Sequence, residues 1–205
     1  MMKQILSELE KHAPFTASGA LTGIIIMVIL FLANPFFHVS EVSSTIFYIL
    51  HPTHVALSAI VTTAIYKLYR PDCRISTAVV IGYIGSIGIA TLSDSIIPFM
   101  GEFLLNFPNR GVHIGFIEEP LLTNPAAFLG IAIGFLRPAT KFPHSGHVLI
   151  STWASLFHII MAMGQTVNWI TAVAIFIFLF LAVWVPCCTS DIVFPLLFIR
   201  REESG

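Results

Sequence analysis

The sequence predicts an all-α fold: a polytopic membrane helix bundle of about six transmembrane helices, N-in/C-in. Three observations predict it. Of the 205 residues, 56 % are hydrophobic and only 10 % are charged, where a soluble domain carries about 25 % charge, and mean hydropathy is strongly positive. The apolar residues gather into runs near the ~20 residues that a membrane crossing needs. The cations sort to one side. With six spans and the N-terminus inside, Lys3, Lys11, Lys67, Arg70, Arg74, Arg137, Lys141, Arg200 and Arg201 are cytoplasmic and only Arg110 lies outside, as the positive-inside rule asks.

Each element follows in turn. Residues 1–16 read as a short cytoplasmic amphipathic helix with Ile5 and Leu9 on one face, in solvent or against the membrane interface. A polar start (Lys3, Glu8, Glu10, Lys11) before a run long enough to span is not the pattern expected of a cleaved signal. Residues 17–199 read as a single transmembrane helical domain. Its first span is 17–36, ended by Asn34-Pro35. A polar loop precedes the second span, 46–66, inside the apolar stretch 46–69. The third, 75–98, is rich in small residues (Gly82, Gly85, Ser86, Gly88, Ala90) that permit close helix approach. Residues 99–119 form the longest loop. The fourth span, 121–136, contains Pro125, Gly130 and Gly134; the fifth is 148–163. The sixth, 169–199, exceeds one crossing and is expected to break at Pro186 and Pro195. Residues 200–205 are a cytoplasmic tail.

Composition also excludes. A net charge of −1 without a basic stripe argues against a nucleic-acid partner. Cys73 stands alone, Cys187 and Cys188 are adjacent, and no CxxC occurs, so neither a disulfide framework nor a thiolate zinc site is indicated. The expected location is an integral one, in a bacterial or archaeal cytoplasmic (inner) membrane. Membrane lipids are the expected partners, with a homo-oligomer left open.

The chemistry rests on ionisable residues in apolar surroundings, which are costly there and mark function. His51 and His54, three apart, share a helix face. The six-span topology places His51, His54, Asp94, Glu102, His113, Glu118, Glu119 and His158 in the outer half or outer loops. His51, His54, Asp94 and His158 form the strongest constellation, because imidazole and carboxylate are preferred ligands of zinc and other first-row divalent metals. Glu102, Glu118 or Glu119 is then available as general base beside a metal-bound water. The plainer alternative makes these residues hydrogen-bonded packing groups. His144, His147 and Asp191 fall toward the cytoplasm. The first two read as a polar lead-in to the fifth span; CCTSD at 187–191 reads as a kinked helix end, or else as a source of ligands or of a proton-carrying Asp191.

Four blocks occur in order: His51/His54; Leu92-Ser93-Asp94 with Pro98 and Gly101; Asn109-Arg110-Gly111-Val112-His113; and Leu156-Phe157-His158 followed by Gly164. This order resembles that of YdjM-type membrane-bound metal-dependent hydrolases over about residues 50–164. The departures are Ser93 for the usual proline, Ile96 for the second acid, Asn109 for the first loop histidine, and no aspartate after the last one. The resemblance implies a divalent-metal site with His51 or His54, Asp94, His113 and His158 as ligands. FPHSGH at 142–147 is similar to the PSGH element of phosphatidic-acid-type lipid phosphatases, but His144 interrupts it and no SRxxxxxH follows.

The leading expectation is an integral membrane metal-dependent hydrolase, with zinc the expected divalent ion, acting on a lipid or lipid-linked head group at the outer leaflet. The alternative is a metal-ion or proton-coupled transporter or channel using the same His/Asp cluster. It requires polar groups through the full depth, including Asp191, Cys187 and His144/His147. A haem b protein, with His51 or His54 and His158 as axial ligands, is the lesser alternative.

Overall fold

The computed structural model describes residues 2–32, 38–138, 141–163 and 168–200. The described residues form eight α-helices: α1 (Met2–Leu32), α2 (Val39–Tyr69), α3 (Ile75–Thr91), α4 (Ile97–Leu104), α5 (Gly115–Glu118), α6 (Pro120–Leu136), α7 (Lys141–Ala162) and α8 (Trp169–Arg200). A π-helical segment, Leu92–Ile96, joins α3 to α4. Among the described residues there is no strand.

Among the described residues, four helices are long and apolar enough to cross a membrane: Ala13–Leu32, Val39–Tyr69, Ile75–Leu104 and Trp169–Cys187. Helices suit that solvent because every backbone polar group is satisfied within the segment. The apolar helices Pro120–Leu136 and Gly146–Ala162 are shorter; 17 residues of α-helix reach about 25 Å, less than a ~30 Å hydrocarbon core.

Three boundaries differ from the sequence expectation. α1 passes through Pro14 without a break, so the first 16 residues join the first span instead of forming a separate helix. α2 begins at Val39, and the expected polar loop is its first turn. Glu41 suits the positive end of the helix dipole there, Thr45 Oγ1 returns a hydrogen bond to the Glu41 carbonyl, and Ser40 Oγ donates to Met161 O at the end of α7. α8 runs through Pro186 and Pro195, which membrane helices tolerate when neighbours take up the freed carbonyls.

α2 is the axis of the bundle, packed against α3, α6, α7 and α8. Its approach to α6 is close, because Gly130 and Gly134 lie on the backbone carbonyls of Ala56 and Ile60, where an added Cβ would collide. Large apolar side chains such as Leu21, Ile49, Leu121 and Trp169 face outward, while Ser43, His51, Ser58, Thr62, Asp94, Glu102, His147, Ser151 and His158 are buried.

Candidate metal centre and the polar row leading to it

The π-helical turn explains how Asp94 reaches the core. Ile97 N–H bonds to Leu92 O, five residues back, and Pro98 at the start of α4 has no N–H for the ordinary pattern. The widened turn buries Ser93, Asp94 and Ser95 together, three consecutive side chains that a regular helix would splay about 100° apart. Such π-bulges gather at functional sites.

Asp94 then organises four donors. Its Oδ2 accepts from His54 Nδ1 at 2.8 Å and His51 Nδ1 at 3.0 Å. Its Oδ1 accepts from Ser93 Oγ at 2.7 Å and Ser151 Oγ at 2.9 Å. Ser155 Oγ supports the arrangement by donating to Ser93 O. A carboxylate oxygen can only accept, so both Nδ1 atoms carry a proton, and in the neutral imidazole each Nε2 presents a lone pair. This is the way an acid sets the tautomer of a ligating histidine.

The Nε2 of His54 points toward α7 and α8. Cys187 Sγ is 4.0 Å away and lies 3.6 Å from Ser151 Oγ. The His147 ring stacks on that of His54, 5.5 Å between centroids and 6° from parallel. One ligand atom each from His54, His147 and Cys187 fall within 4.8 Å of one another, all buried. These three residues can hold a metal ion.

A second acid–histidine pair lies on the other side of Phe47. Phe47 stacks on His51 (5.4 Å) and meets His158 edge-on (5.3 Å). His158 Nδ1 is 2.8 Å from Glu102 Oε1, both fully buried. The loop after α4 seals this pair with its backbone: Gly111 N–H donates to Glu102 Oε2 (3.3 Å), Val112 O accepts from His158 Nε2 (3.1 Å), and His113 O accepts from Ser95 Oγ (2.8 Å). Gly111 lacks a side chain where the His113 ring packs on it. His113 itself takes φ 44°, a left-handed conformation to which histidine is one of the better-suited residues.

Outermost, His113 Nδ1 is 3.4 Å from Glu118 Oε2, which also accepts from Tyr48 Oη. Burial pushes the Glu118 carboxyl up, but the hydrogen bonds from Tyr48 and His113, and the His113 charge, outweigh it and hold the group below the usual glutamate range. The His113 ring stands 5.3 Å from that of His158. A row of polar side chains thus leads from the half-exposed Glu118 to the buried Cys187, interrupted at Phe47.

The structure therefore brings His51, His54 and Asp94 together and pairs His158 with Glu102, while His113 lies with Glu118. Glu119 precedes α6, where its carbonyl accepts from Leu122 and Thr123 N–H; among the described residues its carboxylate makes no hydrogen bond or ion pair to the buried cluster. The expectations for the side chains of His144 and Asp191 lie outside the described residues.

Two residues depart from expectation. His147, read as a polar lead-in, is fully buried against His54 because α7 starts at Lys141 and carries it inside the bundle. Cys187, expected in a kinked helix end or on the inner side of a transport path, joins two histidines because α8 does not break at Pro186. The first was findable: His147, Ser151, Ser155 and His158 recur at i, i+4, i+8 and i+11, a polar stripe on one face of α7. For Cys187 the signal was its place in the polar CCTSD stretch at 187–191. The haem arrangement with His51 and His158 does not fit, since the Phe47 ring fills the space between them.

No protein-family model, no curated protein and no solved structure matches this chain.

Proposed function

We propose that this chain is an integral membrane carrier for a metal cation, coupled to protons, with the buried His/Asp/Cys row as its path. One observation carries the reading: His147 and Cys187, from the inner side of the six-span N-in/C-in scheme, meet His54 of the outer cluster, which is itself bound to Asp94. Buried Asp/Glu/His chains are the material of ion pathways and proton relays in membranes. His54 also stands at the middle of α2, and carriers tend to bind their ions near the bilayer midplane. The six-span orientation, with α6 and α7 as short spans and a bacterial or archaeal inner membrane as the site, belongs to the same proposal.

The test is metal uptake into proteoliposomes with and without a pH gradient. Uptake that responds to the gradient and falls at least tenfold in Asp94→Asn is the expected result. Equal uptake by wild type and variant rejects the carrier.

The second reading is metal-dependent hydrolysis of a lipid or lipid-linked head group, in keeping with the YdjM-type resemblance. It is favoured by the same lock on His54, because three protein ligands with an open position are the usual form of a catalytic zinc site. In that case the metal would supply water activation, and this chain's part would be to orient His54 through Asp94 and to hold a proton at the Glu102–His158 pair. Asp191→Asn separates the two: hydrolysis tolerates it, whereas a path through both halves of the membrane does not.

A further inference from the structure

We infer that His54, His147 and Cys187 form a thiolate-bearing site selective for a zinc-class divalent ion, with Asp94 as its positioning residue. The inference deepens the carrier reading by naming the ion; it rests on that reading only for the ion's role as cargo.

Four observations lead there. The donor set is two imidazoles and a thiol, which suits zinc and its borderline neighbours, whereas magnesium, calcium and manganese favour oxygen. The His54 donor is already prepared, since the Asp94 hydrogen bond at 2.8 Å leaves its Nε2 as a lone pair on the Cys187 side. Asp94 is not the ligand itself, because both its oxygens are taken up by His51, His54, Ser93 and Ser151.

Spacing agrees as well. Zinc bonds of about 2.0 Å to nitrogen and about 2.3 Å to sulfur put tetrahedral N and S ligands about 3.6 Å apart. The His54 Nε2–Cys187 Sγ distance of 4.0 Å closes to that with a shift of a few tenths of an ångström. The parallel His147 ring turns to aim its own nitrogen at the same point. Charge is the fourth argument. Asp94 is a buried carboxylate, and a dication held by the Cys187 thiolate would balance the two negative groups, which an apolar bundle strongly favours.

His51 is excluded from the set. Its Nδ1 is bound to Asp94, and its buried Nε2, which has no hydrogen-bond partner among the described residues, lies where a Cβ on Gly115 would stand.

The experiment is cobalt substitution of the chelator-stripped full-length chain in detergent. Wild type should bind one Co(II) with a thiolate-to-cobalt band in the near ultraviolet and tetrahedral d–d bands, displaced by Zn(II) but not by excess Mg(II), Ca(II) or Mn(II). Cys187→Ser should lose the thiolate band, while Cys188→Ser and Cys73→Ser keep it. Asp94→Asn should keep the band but weaken binding by 10- to 100-fold, the usual cost of losing such a partner. No thiolate band in wild type, or an unchanged band in folded Cys187→Ser, overturns the site. Because nothing here depends on flux, a cobalt band in a protein that moves no metal leaves the site standing and removes the carrier. Flux without the band does the reverse.

Discussion

The bundle buries two acid–histidine pairs, and they are built oppositely. Asp94 is held by side chains alone, with donors on α2, α7 and its own π turn. Glu102 and His158 are held by the backbone of a loop, through Gly111 N–H and Val112 O. At Asp94 both histidines donate through Nδ1 and show Nε2 lone pairs to their surroundings. At Glu102 the histidine donates its Nε2 proton to Val112 O, so its Nδ1 meets the carboxylate at 2.8 Å with one proton between them or none. The first pair is locked and suited to presenting a ligand atom. The second is tied to a loop and suited to exchanging a proton with the outside.

The largest effect should come from breaking the locked pair. Asp94→Ala strands two buried Nδ1–H groups and two hydroxyls, so destabilisation of about 3–5 kcal/mol is expected, as for other broken buried ionic partners. Thermal unfolding in detergent reads it. A loss below about 1 kcal/mol would show that Asp94 does not hold the bundle's centre together.

Next is Gly115→Ala, whose Cβ would run into the His51 ring. Overpacking of this kind costs about 1–3 kcal/mol, while cobalt affinity at His54 should change less than threefold. Equal loss of metal binding would place His51 in the coordination set.

The loop-held pair should respond through the loop. Glu102→Ala removes the acceptor of Gly111 N–H at a cost of about 1–3 kcal/mol, and amide exchange should rise in residues 105–114 while α2 and α7 stay protected. Glu102→Gln keeps an acceptor for Gly111 and should restore the protection. Failure of Gln to do so would mean that the charge, not the hydrogen bond, latches the loop.

Glu118→Gln should be the smallest, below about 1 kcal/mol for a half-exposed partner. Its pH dependence has a definite sign. A carboxyl held below its unfolded value adds stability above that unfolded value and loses it as pH falls through the folded one. Loop protection in wild type should therefore persist from neutral pH to below the usual glutamate range and then fade. The Gln variant should show no such step.

Much of the fold was legible in sequence, because a membrane-length apolar run has few alternatives to a helix. The His51/His54 pair was legible for the same reason, as spacing alone puts them on one face. Asp94 was legible as an expensive residue in an apolar run, but not as the acceptor for both histidines. That required the π turn, which depends on Pro98 and on the neighbours that bury Ser93 and Ser95. Three of the four donors to its oxygens, His51, His54 and Ser151, lie 40 and more residues away in sequence; the fourth is the adjacent Ser93.

By itself, the sequence determined the solvent, the helices and the set of costly side chains, because hydropathy and period are local quantities. Which of those side chains meet was decided only by the tertiary structure. Cys187 became a partner of His54 across 133 residues because α8 runs straight through Pro186 and packs on α2 and α7. Whether a proline breaks a membrane helix depends on whether neighbours satisfy the freed carbonyl, and neighbours are a property of the folded bundle.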